Sequence, residues 1–333
     1  MNSGVEPDSD RAQILAVTAV IVAIVFIGLV GAAYTGASTA DERAEGPEAY
    51  TTESESAIQT AVYAMEDALL DVNADQSLTT RSGRETAARK GVRAAANALD
   101  ANGQFSGRLV EVELAQYGGT ETPAGTRVVQ NNESNLTDAS GNANWTVVAG
   151  ADQTRQVAIE VDPYQLASSE GSGTQVTLVG DTTETVTIYR NGTSVALSHS
   201  GGECRVGEIG PTTDEPFATL RLTTGTLTLT NGDTTLGGSC TGYEAPDTIE
   251  RIEITNGDAT VGTLGVVSLG NDVEGPNVNT TPAPPASGDA DAPTAHHVVY
   301  GVPVEVAVAT ERTTTSRLVI VAPGSRPNPL PSP

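Results

Sequence analysis

Two cysteines, three histidines and a surplus of carboxylates are the residues of this chain whose types lend themselves to chemistry. Neither Cys204 nor Cys240 has a second Cys or a His at the spacing of a zinc-ligand pair. An even cysteine count outside a reducing cytosol reads as one disulfide joining two parts of a β domain. In the chain-entropy picture a loop of that size stabilises by about 3–4 kcal/mol. His199 stands alone, and His296 and His297 are adjacent, so on a strand they point to opposite faces and cannot ligate together. No Gly-x-Ser-x-Gly elbow, P-loop or dinucleotide fingerprint occurs. Asp and Asn collect at Gly270-Asn271-Asp272-Val273-Glu274 and at Asp289 and Asp291, without the spacing of a calcium loop. The expectation is a chain with no catalytic, cofactor-binding or metal-ligating residues, not an enzyme, and in need of no cofactor.

Five Asn-x-Ser/Thr sequons offer a different chemistry, N-glycosylation, at Asn132, Asn135, Asn144, Asn191 and Asn279. The motif marks an acceptor only if the chain is exported. Asn144 and Asn191 are the most loop-like of the five, although Asn191 also has a turn to make. Trp145, the only Trp, reads as a packing anchor.

Charge sets the surroundings. Lys and Arg number 17 against 42 Asp and Glu, a net charge of −25, and Lys90 is the only lysine. Carboxylates hold water and cations at a surface, and at molar salt the Debye length falls to about 3 Å, which suppresses their repulsion. The acidity therefore predicts a halophilic archaeon as source, with the acidic clusters as solvated surface. The same charge repels phosphate, which excludes nucleic acid as a partner. Aromatics make up only 4% of the chain, so the core must come from Val, Leu, Ile and Ala, which suits thin β layers.

The elements that would position these residues begin with an apolar run. From Ile14 to Ala33 there is no charged residue, and about twenty helical residues cross a bilayer core. This predicts a single-pass membrane protein in contact with lipid. Arg11, the only basic residue before the run, places the N-terminus in the cytoplasm and the C-terminal domain outside the cell. The entry to the run, Arg11-Ala12-Gln13, resembles an archaeal type IV prepilin leader. That resemblance implies cleavage by a prepilin peptidase between Ala12 and Gln13. The plain alternative is an uncleaved signal anchor.

After the run, Gly46-Pro47 interrupts and Pro47 restarts a helix at its first turn. Ile58, Val62, Met65, Leu69 and Val72 form a heptad-type stripe, and Ala88, Val92, Ala95 and Leu99 form a second one over 80–100, stopped by Asp100-Ala101-Asn102-Gly103. The first helix carries Glu53, Glu55, Glu66, Asp67 and Asp71; the second carries Arg81, Arg84, Arg89, Lys90 and Arg93. Pairing between the two helices is the plain expectation, with a basic site for an anionic ligand as the alternative. Beyond about residue 104 the period becomes two, with strands at 108–114, 126–130, 155–162, 174–179, 184–190, 193–198, 298–310 and 315–322. Asn191-Gly192, Asn231-Gly232 and Asn256-Gly257 supply the residues a two-residue hairpin turn demands.

The expected fold class is α+β: an N-terminal transmembrane helix and helical hairpin followed by an antiparallel β-sandwich-like domain. The expected division is a leader at 1–12, transmembrane helix and stalk at 13–45, helical hairpin at 46–102 and an extracellular antiparallel β domain at 103–322. Within that domain 275–294 is a Pro/Gly-rich loop, and 323–333 is a disordered tail.

Asp10-Arg11-Ala12-Gln13, the helical hairpin, Asn144-Trp145-Thr146, the Cys204/Cys240 pair around a Thr-rich hairpin and the closing strands ending Val321-Ala322-Pro323-Gly324 together resemble haloarchaeal type IV pilin-like single-pass membrane proteins of unknown function. The resemblance implies an uncharacterised cell-surface protein with a structural or assembly role, working with prepilin peptidase and pilus-assembly proteins. It carries over no catalytic residues. The alternative is an anchored ligand-binding or sensor module at the cell surface.

Overall fold

The computed structural model describes residues 47–106, 109–116, 119, 122–209, 216–232, 234–270, 278–281, 284–285, 291–309 and 314–322. Two α-helices come first, α1 (Pro47–Ala74) and α2 (Arg81–Ser106). The strands follow: β1 (Leu109–Leu114), β2 (Ala124–Asn135), β3 (Trp145–Val148), β4 (Gln153–Val161), β5 (Thr174–Gly180), β6 (Thr183–Asn191), β7 (Ser194–His199), β8 (Gly202–Val206), β9 (Phe217–Arg221), β10 (Thr226–Asn231), β11 (Thr234–Ser239), β12 (Ile249–Thr255), β13 (Val261–Leu269), β14 (Asn279–Thr280), β15 (Thr294–Val299), β16 (Val302–Ala309) and β17 (Thr314–Val321).

This corrects the expected fold class. The described residues are predominantly β, with 17 strands against two α-helices. Among them no helix is long and apolar enough to cross a membrane. The physical reason is plain: α1 and α2 each bury one stripe and keep a charged face, with Asp67 and Asp71 exposed on α1 and Arg81, Lys90 and Arg93 exposed on α2. The expected localisation, a single pass with its N-terminus in the cytoplasm and its C-terminal domain outside, is corrected on the same finding. Ile14–Ala33, on which it rested, lies outside the described residues, as do Arg11, Ala12 and Gln13.

The helices form an antiparallel hairpin seated on a three-stranded sheet of order β1-β16-β17. Ile58, Val62, Met65 and Leu69 of α1 and Ala88 and Val92 of α2 share one core with Val304, Val306, Val319 and Val321. The heptad stripe therefore meets a sheet as well as its partner helix. Because β1 follows the hairpin while β16 and β17 come last among the described strands, this unit is built from both ends of the described sequence. α2 runs past Asn102-Gly103 to Ser106, although Gly inside a helix costs about 1 kcal/mol. The same helix packs against β1.

Residues between those ends build a two-sheet sandwich. One sheet has eight strands in the order β11-β10-β9-β4-β13-β2-β15-β14, and the other has six in the order β3-β12-β5-β6-β7-β8. Pairings are antiparallel except β14 with β15. Alternating Val157, Ile159 and Val161 of β4 face Val176 and Leu178 of β5 and Ile252 and Ile254 of β12 in one core. Strict alternation makes one face of each sheet apolar, and two such faces bury each other.

Two Asn-Gly pairs lie at the expected hairpins, but only the Gly enters each turn: Asn191 ends β6 opposite Ser194 and Asn231 ends β10 opposite Thr234, with Gly192 at φ 64° and Gly232 at φ 55°. The third differs. Asn256, at φ 55°, starts a 3-10 turn that carries the chain from β12 in one sheet to β13 in the other. Likewise 298–310 is not one strand. β15 ends at Val299 in the large sheet and β16 begins at Val302 in the small one. Gly301 sits at the break, where a Cβ would come within 3.0 Å of the Val321 carbonyl oxygen.

Candidate functional site

The residues whose chemistry is most altered by the fold collect where the helical hairpin meets the outer face of the eight-stranded sheet. The loop between α1 and α2 is held by Arg84, which is 1% exposed. Its Nη1 donates to the carbonyls of Val72 (2.6 Å) and Asn73 (3.1 Å), and its Nη2 to those of Asp75 (3.3 Å) and Leu78 (2.6 Å). The last carbonyls of a helix have no partners within it, and a cation there also meets the negative end of the helix dipole. Beside it, Asn73 pairs with the backbone of Val299 in both directions: Nδ2 donates to the Val299 carbonyl and Oδ1 accepts the Val299 N–H, each at 3.0 Å. Asn73 thus acts as a short strand partner where the chain leaves the large sheet.

Next to this clamp lies a polar seam. Arg127 on β2 is the cross-strand partner of His296 on β15. Arg155 sits at a register shift between β4 and β13, which turns its side chain towards Tyr300. Its guanidinium lies 5.0 Å from the Tyr300 ring centroid. Its Nε and Nη1 are buried without hydrogen-bond partners, and the aromatic face contributes to stabilising the charge. Burial lowers the Arg155 pKa to about 10, opposed by Tyr300 and Glu66. Glu66 enters the seam from α1, 8% exposed. Burial raises its pKa to about 7, with Arg155 pulling it down and Asp67 pushing it up. His296 is 3% exposed with neither ring nitrogen partnered, and burial, followed by Arg127, Arg84 and His297, lowers its pKa to about 3. The seam can exchange one proton near neutral pH, at Glu66. Because Glu66 faces Arg155 from the hairpin, that proton acts on how hairpin and sandwich pack.

The two groups give opposite pH dependences. Glu66 binds its proton more tightly folded than unfolded, so its contribution is full below its ordinary value of 4.5 and is lost as pH rises through about 7. That loss is at most about 3 kcal/mol, less to the extent solvent screens the group. His296 stays neutral when folded, so its contribution is full above 6.5 and is lost as pH falls towards about 3. Glu66→Gln is expected to match the parent near pH 4.5, to exceed it at pH 8, and to expose the acid-side loss from His296. Thermal unfolding from pH 4 to 8 at fixed salt checks this; parallel profiles for parent and variant would show that Glu66 does not titrate in the seam.

The sequence-derived site residues fare differently. Cys204 on β8 and Cys240 just after β11 are disulfide-bonded, with Cα atoms 5.4 Å apart. The bond staples the edge strand of one sheet to the edge strand of the other. His296 is buried and His297 exposed, on opposite faces of β15. His199 packs edge-on against Tyr243 at 5.6 Å, and its Nδ1 accepts the Gly201 N–H. Trp145 is 7% exposed and donates from Nε1 to the Leu136 carbonyl at 2.9 Å. Residues 271–277 and Asp289 lie outside the described residues. Asp291 accepts from Asn132 Nδ2. Among the described residues no three His, Cys, Asp or Glu side chains could hold a metal. The five sequon asparagines are scattered over β2, the bend before β3, the end of β6 and β14.

Arg84 and Glu66 correct the expectation of pairing between the helices, since one serves carbonyls and the other faces Arg155 across the seam. Sequence reasoning missed the seam. The available signal was Glu66, an acid set inside the apolar stripe between Met65 and Leu69.

Fold and seam define a predominantly β protein, a two-sheet sandwich beside a three-stranded sheet on which a helical hairpin docks. The chain belongs to DUF7261, a family of unknown function whose model matches residues 8–179. No curated protein matches it. A solved structure described as the crystal structure of Scytalido-glutamic peptidase with a peptide-based transition-state analogue is similar at 11% identity, over 64% of this chain and 88% of that one. The TM-score of that match is 0.16.

Proposed function

We propose that this chain is a pilin-like structural and assembly protein of a halophilic archaeon, rather than an enzyme, working in an oxidising, high-salt compartment. The observation that carries this reading is the division of labour in the fold. A helix-on-sheet unit is made from both ends of the described residues, and a large disulfide-stapled sandwich is inserted between them. The disulfide supports the oxidising compartment, and the charge of −25 with a single lysine supports the salt. The partners of this reading are a prepilin peptidase acting between Ala12 and Gln13 and pilus-assembly proteins. The mechanism is scaffolding, in which contacts between copies or with assembly proteins do the work.

Two measurements test it. Sedimentation and cross-linking of the native protein in molar KCl are expected to give higher-order assemblies whose chains begin at Gln13. A monomer that keeps Met1 would overturn the reading. Thermal unfolding should show a melting temperature that rises with KCl, as the Debye length shrinks from about 30 Å at 0.01 M to about 3 Å at 1 M. Unscreened repulsion otherwise acts against the compact state. A flat or falling profile would remove the support for a halophile.

A further inference from the structure

We propose that Asn144 is an N-glycosylation acceptor whose glycan shields the open edge of the six-stranded sheet. The sequon Asn144-Trp145-Thr146 opens β3. Its middle residue points inward: Trp145 is 7% exposed and is tied through Nε1 to the Leu136 carbonyl at 2.9 Å. Asn144, in the bend just before the strand, is exposed. Asn144 Oδ1 accepts the N–H of Asn256 at 2.9 Å. That bond fixes the amide by its oxygen and leaves Nδ2, the atom that takes the sugar, without a hydrogen bond to the described residues.

Two other sequons are arranged the opposite way. Asn132 donates from Nδ2 to Asp291, and Asn191, the last residue of β6, donates from Nδ2 to Glu203 Oε1 at 3.1 Å beside the hairpin turn. Their amide nitrogens are engaged in holding the fold, whereas that of Asn144 is presented to solvent.

The location gives the modification a consequence. β3 is the terminal strand of its sheet and only four residues long. A terminal strand presents unpaired N–H and C=O groups on which another chain can pair. A bulky, solvated glycan at the entry to β3 blocks that approach.

The transfer needs a glycosyl phosphate on a lipid carrier as donor. Nδ2 attacks the anomeric carbon, the bond from that carbon to the phosphate oxygen breaks, and its electron pair leaves with the carrier phosphate. Nδ2 gives one proton to a base of the transferase, and nothing is oxidised or reduced. The inference shares with the proposed function only its compartment and does not depend on assembly.

Peptide mass mapping of the native protein purified from its own cells tests it. The Asn144 peptide should carry a glycan mass, while the Asn132 and Asn191 peptides run at their sequence masses. Thr146→Val should abolish the added mass and Thr146→Ser should retain it. An Asn144 peptide at its sequence mass in the native protein would overturn the inference, as would added mass that survives Thr146→Val. Equal occupancy at Asn191 would overturn selection by amide accessibility. Thiol labelling of the same sample separates the two readings: disulfide-bonded but unglycosylated protein refutes this inference and leaves the proposed function standing.

Discussion

Arg84→Ala is expected to cost about 3–5 kcal/mol, the penalty of stripping a buried charged group from the partners it serves. The arginine is among the largest fully buried side chains, and its two terminal nitrogens make four hydrogen bonds to carbonyls of α1 and the following loop. Alanine would leave those carbonyls inside the protein with nothing to accept from. It would also loosen the turn that carries Asn73 to Val299, so the hairpin's grip on the sandwich should weaken with it. Arg84→Lys should recover only part of the loss, because an ammonium is a point charge and cannot spread donors across a fork. Arg81→Ala is the control. Arg81 makes an exposed pair with Glu85 one helical turn away, worth about 0.5 kcal/mol or less. Thermal unfolding at fixed molar salt ranks the three variants. Equal losses for Arg84→Ala and Arg81→Ala would show that the guanidinium does not hold the turn.

Cys204→Ser with Cys240→Ser is expected to cost about 3–4 kcal/mol, the loop-closure term for a separation of this size. The sequence separation is 36 residues. The effect should be local as well as global. All six residues of β11 are exposed, so this strand contributes little to the core and depends on its pairing with β10 and on the staple to β8. Without the bond, the β10–β11 hairpin should open first, and its free edge should promote self-association. Hydrogen exchange across 226–239, together with light scattering, reads both effects. Unchanged protection in β11 would show that the strand is held without the disulfide.

The seam shows where legibility stops. Glu66, Arg84, Arg127, Arg155, His296 and Tyr300 are spread over some 230 residues of sequence and meet only because strand order brings β2, β4 and β15 together beneath the hairpin. The sequence signals that His296 and His297 face opposite ways, since neighbours on a strand alternate. It does not signal which of the two is buried, because that depends on what covers the face. The charges of the two helices invited a pairing that the turn geometry redirects for Arg84 and Glu66.

What the sequence by itself determined is local and periodic: two helical stripes, period-two strands, two Asn-Gly hairpins, an inward Trp145, and an even pair of cysteines. Each of these follows from the spacing of side chains a few residues apart, where backbone geometry alone decides the face. The tertiary structure decided the rest. It joined β1 to β16 and split 298–310 between two sheets, because pairing is settled by which apolar faces can bury each other at once. It sent Asn256-Gly257 across the sandwich, because a turn residue fixes a bend but not the strand that receives the chain. It also raised the Glu66 pKa and lowered that of His296, because burial comes from neighbours far away in the sequence.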